Sequence, residues 1–103
     1  MVSVMAKSRV RTKFGELLER YRSRAGLSQQ AFADEMSERG YPSFSQRLYS
    51  HILYNPRVRI YPQFFAMASK ILSLSFSEQQ ELLQTWLSLG DELLDHEERV
   101  EDL

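Results

Sequence analysis

Apolar residues recur along most of this chain at the three- and four-residue spacing of amphipathic helices. This pattern predicts five helices and no sheet, over residues 12–26, 28–40, 43–54, 62–74 and 77–100. Thr12 and Ser28 are suited to cap the first two helices at their N-termini, and Gly26 and Gly40 to end them in left-handed backbone. The predicted class is therefore all-α.

The remaining helix ends are predicted from short local signals. Asn55-Pro56 ends the third helix, because proline disfavours helical geometry in the residue before it. Pro62 fits the first turn of the fourth helix. Ser77 and Gln80 have capping-box spacing at the start of the fifth helix.

Composition excludes several classes of protein. The chain of 103 residues has no cysteine, so it has neither disulfides nor thiolate metal sites. No apolar run reaches the roughly 20 residues of a membrane span, and the start lacks a secretory signal. We find no catalytic constellation, no phosphate-binding glycine loop and no metal-ligand spacing. The sequence therefore predicts a cytoplasmic protein that is not an enzyme and uses no cofactor, metal or small-molecule ligand.

Charge is divided unevenly between the two ends of the chain. Residues 1–60 contain eleven Lys and Arg against five Asp and Glu, a balance of +6. Residues 61–103 contain two against nine, a balance of −7, and the sum is the formal net charge of −1. A basic front half favours a nucleic-acid partner, with a chance segregation of surface charge as the alternative.

The third predicted helix has two chemically different sides. Its apolar side consists of Leu48, Tyr49, Ile52 and Leu53. Its polar side offers groups that read base edges, since Arg bonds guanine and Gln bonds adenine bidentately in the major groove. We predict four base contacts on that side: Gln46, Arg47, Ser50 and His51. Gln46 has an alternative role in capping the start of the helix instead of contacting a base, because it lies at capping-box spacing from Ser43.

Residues around this helix are candidates for contacts to phosphates. No acidic residue occurs between Glu38 and Glu78, which suits an approach to a phosphate backbone. The predicted phosphate contacts at the helix ends and in the connector are Ser45, Tyr54, Arg57 and Arg59. A basic N-terminal arm contains Lys7, Arg9, Arg11 and Lys13. Its candidate targets are the minor groove of a duplex or the phosphates along it.

Two motifs resemble a known family. "GLSQQAFA" is similar to the second helix of lambda-repressor-like (XRE) helix-turn-helix domains, and "SQRLYSHI" resembles their recognition helix. The resemblance covers about residues 14–74. It implies a five-helix fold in which Gln29 contacts a phosphate and the third helix lies in the major groove. The turn "SERGYPS" is longer than the usual 3–4 residues and resembles that of ParB-type partition proteins.

The last predicted helix carries an apolar stripe at the spacing of a coiled-coil seam. The residues predicted to form a homodimer interface are Leu82, Trp86, Leu89 and Leu93. Leu83, Leu87 and Leu94 widen the stripe on one flank, so one helix has apolar residues for its own domain and for a partner. The alternative is that the whole stripe belongs to the core of one chain.

These observations divide the chain into a basic arm (1–11), a helix-turn-helix domain (12–75) and an acidic dimerisation helix (76–103). They predict a cytoplasmic, nucleoid-associated homodimer that binds double-stranded DNA at a near-palindromic operator, as a transcriptional repressor does. Two alternatives stay open: a partition-type DNA-site binder, and a small helical interaction module or antitoxin whose basic helices are ordinary surface.

Overall fold

A computed structural model describes the backbone of residues 10–102 and the side chains of residues 10–90. This part of the chain forms five α-helices and no strand, which confirms the predicted all-α class. The helices, in chain order, are α1 (Lys13–Arg24), α2 (Gln29–Glu38), α3 (Gln46–Tyr54), α4 (Gln63–Leu72) and α5 (Phe76–Asp102). None of the helices in these described residues has the length and apolarity of a membrane span.

The first two helices begin and end where the sequence predicts. Thr12 Oγ1 accepts a hydrogen bond from the Gly15 amide at 2.9 Å, and Ser28 Oγ accepts one from the Ala31 amide at 3.0 Å. Each bond satisfies an amide that the helix itself leaves unpaired. Gly26 and Gly40 follow the two C-termini with φ of 78° and 100°.

The predicted start of α3 is wrong by several residues. Ser43 adopts a left-handed φ of 57°, which an N-cap residue does not use, and the helix begins at Gln46. The cap is Ser45, whose hydroxyl accepts from the Leu48 amide at 3.2 Å. The alternative of a Ser43–Gln46 capping box is therefore excluded.

The capping box of α5 also differs from the prediction. It is formed by Ser75 and Glu78 instead of Ser77 and Gln80, and the helix begins at Phe76. The Glu78 amide donates to Ser75 Oγ at 3.2 Å, and the Ser75 amide donates to Glu78 Oε1 at 3.0 Å. The same carboxylate accepts two hydrogen bonds from Arg24 of α1, at 2.7 and 3.0 Å, so the cap also joins two helices.

Aromatic rings fill the centre of the core. Phe14 of α1 is fully buried, and its ring centroid lies 6.3 Å from Phe64 and 6.2 Å from Phe65, both of α4. Trp86 of α5 packs on the same ring, with its centroid 5.2 Å from that of Phe14. Rings at these distances add to the stability that their buried area already provides. The cluster holds α1, α4 and α5 together.

The turn between α2 and α3 contains seven residues, 39–45, and is anchored in the core. Tyr41 and Phe44 are both buried, and their ring centroids lie 5.2 Å apart. The Tyr41 amide donates to the Met36 carbonyl at 3.0 Å, and the Tyr41 hydroxyl accepts from the Tyr61 amide at 2.9 Å. The extra length of this turn therefore supplies two core side chains that fix the approach to α3.

The helices α1 and α3 touch through their backbones. A Cβ atom placed on Gly15 would lie 2.2 Å from the Leu53 carbonyl oxygen, so only glycine fits at this contact. The Thr12 amide donates to the same carbonyl at 3.0 Å. The start of α1 and the end of α3 are thereby held at a fixed distance.

Candidate nucleic-acid interface

The helix α3 is seated on the core by one side only. Tyr49, Ile52 and Leu53 expose at most 1 % of their surface. The opposite side, here called the α3 outer face, consists of Gln46, Arg47, Ser50 and His51. Gln46, Arg47 and His51 are exposed, and Ser50 is half-buried. The four predicted base-contact residues therefore lie together on the solvent side of one helix.

A shallow depression of about 310 Å³ runs along this face. Its lining consists of Arg47, Ser50, His51, Tyr54 and Asn55. Asn55 was interpreted in the sequence only as a helix stop, and its place in the depression was missed. Asn55 leaves the helix in extended backbone, with φ of −119° and ψ of 109°, because proline disfavours helical geometry in the residue before it.

The connector after α3 extends the polar surface. Asn55 Oδ1 accepts a hydrogen bond from the Arg57 amide at 2.9 Å, which places Arg57 next to the depression. The Arg57 and Arg59 side chains are exposed, whereas Val58 and Ile60 pack against the core. This alternation directs two guanidinium groups outwards from one short segment.

The predicted N-terminal arm is only partly within the described residues. Lys7 and Arg9 lie outside them. Lys13 is an exposed residue at the first position of α1, so it does not belong to an arm. Arg11 is held on the domain as well: its guanidinium donates to the Tyr54 hydroxyl, which raises the Arg11 pKa, and it lies 3.9 Å from Glu16 and from Glu19. The arm assignment is therefore wrong for these two residues.

A buried carboxylate, which the sequence analysis missed, lies beneath α3. Glu19 of α1 exposes only 7 % of its surface. It accepts hydrogen bonds from Arg22 Nε at 2.8 Å and Arg22 Nη2 at 2.7 Å, and a further one from the Tyr49 hydroxyl of α3. Burying a charge is favourable only when it is paired and hydrogen-bonded in this way. Glu19 thus ties the orientation of α3 to α1.

The protonation of this group follows from its partners. The Arg22 guanidinium holds the pKa of Glu19 at about 2, against burial, which acts in the opposite direction, and the Tyr49 hydroxyl adds to the lowering. Burial and the neighbouring carboxylate raise the pKa of Tyr49. Glu19 is therefore ionised and Tyr49 is neutral at physiological pH.

The two predicted phosphate contacts before α3 have other hydrogen bonds in this structure. Gln29 is half-buried, and its Nε2 donates to Glu19 Oε2 at 3.4 Å. Ser45 is exposed and caps α3. The two residues lie at the N-termini of α2 and α3, where backbone amides point outwards, so they remain next to sites that favour an anion.

The predicted dimer interface lies mostly in the core of the same chain. Leu82 is fully buried, Leu89 is 8 % exposed, and Trp86 packs on Phe14. These contacts within the chain leave little of Leu82 and Leu89 for a second copy, so their assignment to an interface is wrong. The Leu93 side chain lies outside the described residues. The alternative of an intramolecular core is the correct one for Leu82 and Leu89.

The described residues contain no group of three or more His, Cys, Asp or Glu side chains placed to hold a metal ion. Comparison of the chain with family models, with curated proteins and with solved structures found no match.

Proposed function

We propose that this protein binds double-stranded DNA in a sequence-specific manner, with α3 in the major groove, and acts as a transcriptional regulator of the repressor type. The observation that carries the proposal is the α3 outer face. One helix presents Gln46, Arg47, Ser50 and His51 to solvent, while the opposite side of the same helix is buried. These side-chain types match the donor and acceptor pattern of base edges.

The distribution of charge supports the same surface. The segment 39–77, which contains α3, the connector and α4, has five Lys and Arg residues and no Asp or Glu. Arg57, next to the depression, and Arg59, two residues further along the connector, have exposed side chains suited to neutralise phosphates. Each neutralised phosphate releases condensed counterions, and this release supplies much of the affinity of a DNA-binding surface. Contacts to phosphates then set the register in which α3 meets the bases.

A regulator of this kind reads a near-palindromic site as a homodimer. Two copies related by a twofold axis place two recognition helices in successive major grooves, about 34 Å apart. The site is then two inverted half-sites with fixed spacing. Selection of bound sequences from a random duplex pool tests this directly: we expect an inverted repeat, whereas a single half-site contradicts the homodimer.

DNA binding itself is tested by a mobility shift of random duplex at low and at moderate salt. We expect a complex at low salt that weakens as salt rises, because non-specific binding is electrostatic. A protein-interaction module shows no complex at either concentration, and that result contradicts the proposal.

Replacing Arg47 with Ala is expected to weaken binding to the selected site by about 1–3 kcal/mol and to relax selectivity at one base pair. Arg20 is an exposed arginine of α1 in a groove beside Glu81 and Thr85 of α5, away from α3. Arg20→Ala is the matched control and should bind as the wild type does. A loss that is equal for all duplex sequences makes Arg47 a phosphate contact; no loss places the interface elsewhere.

Replacing Arg59 with Ala is expected to lower the slope of log K against log salt by about one unit, with unchanged sequence preference. The physical reason is the loss of one neutralised phosphate. Fluorescence anisotropy of a labelled duplex over a salt series measures the slope. An unchanged slope, equal to that of Arg20→Ala, would exclude Arg59 from the interface.

A further inference from the structure

The helix α5 carries a second, largely apolar flank that its own domain covers only in part, since Leu83 packs against the core while Phe76 and Leu87 are exposed. We call it the outer stripe: Phe76, Gln80, Leu83, Leu87 and Gly90. At 100° per residue these positions fall within an arc of about 80°, turned about 110° from Leu82, Trp86 and Leu89. Phe76 is 76 % exposed and Leu87 is 50 % exposed, whereas Leu83 is half-buried.

The outer stripe has the spacing of a helix–helix seam. Phe76, Leu83, Leu87 and Gly90 follow each other at intervals of seven, four and three residues, and Leu94 continues the series four residues later in the sequence. A Cβ atom on Gly90 would meet nothing within 4 Å, so no contact inside the chain requires glycine there. Glycine costs about 1 kcal/mol in a helix interior relative to alanine. Close approach of a second helix at this position would account for a glycine there.

The length and charge of α5 also indicate a partner. The helix runs to Asp102, and its described side chains end at residue 90. Residues 91–102 contain seven Asp and Glu and one Arg. Acidic residues near a helix C-terminus are unfavourable for the helix dipole, and helices of this size need packing to be stable.

We propose that a second copy of this chain docks on the outer stripe, so that two α5 helices pair antiparallel about a twofold axis near residue 85. This register pairs Phe76 with Leu94, Gln80 with Gly90, and Leu83 with Leu87. A twofold axis requires such reciprocal pairs, and the sequence supplies all of them. The inference identifies the contact surface of the homodimer that the proposed function assumes, and so rests on it in part.

Charge decides between the antiparallel and the parallel arrangement. In a parallel pair the two acidic segments 91–102 lie side by side and repel each other. In the antiparallel pair each acidic segment lies beside the start of the partner's α5, where the helix dipole is positive. The segment 61–77 leading into α5 contains Lys70 and no acidic residue, and Glu78 is already paired with Arg24.

The first test is the oligomeric state of the full chain without DNA, measured by sedimentation over a concentration series. We expect a reversible dimer, and a dissociation constant raised at least tenfold by Leu87→Gln. The matched control is Ser88→Gln, an exposed position of the same helix off the stripe, which should leave the constant unchanged. Circular dichroism of each variant at low concentration verifies that the monomer is folded.

The second test fixes the direction of the helices and uses the absence of cysteine from the chain. In the antiparallel pair, two copies of residue 76 are about 27 Å apart along the axis, since they are separated by eighteen helical residues. We therefore expect a short thiol cross-linker to join Phe76→Cys to Leu94→Cys in a mixture, and neither variant to itself.

Three results would overturn the inference: a monomer at every concentration, a dimer whose dissociation constant Leu87→Gln leaves unchanged, or cross-linking of one Phe76→Cys chain to another. None of these measurements contains DNA. A failed mobility shift with an intact antiparallel dimer would therefore reject the proposed function and leave the pairing standing. A DNA complex formed by a chain that is monomeric without DNA would reject the pairing and leave DNA binding standing.

Discussion

Gly15→Ala should lower the free energy of unfolding by about 3 kcal/mol, since overpacking a tight contact typically costs 1–3 kcal/mol and sometimes more. The added Cβ would lie 2.2 Å from the Leu53 carbonyl oxygen and 2.8 Å from the Leu53 Cα. Both are backbone atoms, so they have no rotamer by which to move away. The gain of about 1 kcal/mol in helix propensity is too small to offset the clash.

Urea denaturation at pH 7 measures this change. A shift of the thermal midpoint on the order of 10–20 °C should accompany it. Ser23→Ala, at an exposed position of the same helix, should change stability by less than about 0.5 kcal/mol. If Gly15→Ala is as stable as that control, α1 and α3 do not meet at Leu53.

Glu19→Gln is expected to destabilise the fold by about 3 kcal/mol at pH 7. The amide has the size of the carboxylate but lacks its charge, so Arg22 loses its counter-ion in a largely buried position. The comparison variant is Glu78→Gln, whose carboxylate pairs with Arg24 at the surface and should matter less. Equal effects of the two substitutions would show that Glu19 is solvated.

The same carboxylate makes stability depend on pH. The pKa of Glu19 is about 2 in the folded chain and near 4.5 in the unfolded chain. The stabilisation is therefore complete above about pH 5 and is lost as pH falls towards 2, with a total on the order of 3 kcal/mol. Chemical denaturation over this range should give a steeper loss for the wild type than for Glu19→Gln. Parallel curves would contradict the assignment.

Local signals in the sequence were sufficient to predict the five helices and some of their N-caps. Thr12 and Ser28 each precede an apolar periodic run, and nothing nearby competes with them for the cap. At α3 both Ser43 and Ser45 are suited to the role, and burial of Phe44 between them decides the matter. Phe44 packs on Phe32 and Tyr41, so tertiary packing selects Ser45 as the N-cap. The local sequence around the two serines does not show this packing.

Two features of the site lay beyond the sequence for the same reason. Glu19 and Arg22 have the spacing of an ordinary surface ion pair, and only Tyr49, thirty residues later, makes their position a buried one. Both flanks of α5 carry large apolar residues at helical spacing in the sequence. Which flank meets Phe14 is set by the arrangement of α1 and α4, and so the burial of Leu82 and Leu89 within their own chain could not be predicted from the sequence.

The contact of Arg11 with Tyr54 determines where the polypeptide enters the domain. Arg11 therefore lies at the rim of the depression on α3, which Tyr54 lines. A fluorophore attached at residue 11 would crowd the surface that duplex binding assays interrogate.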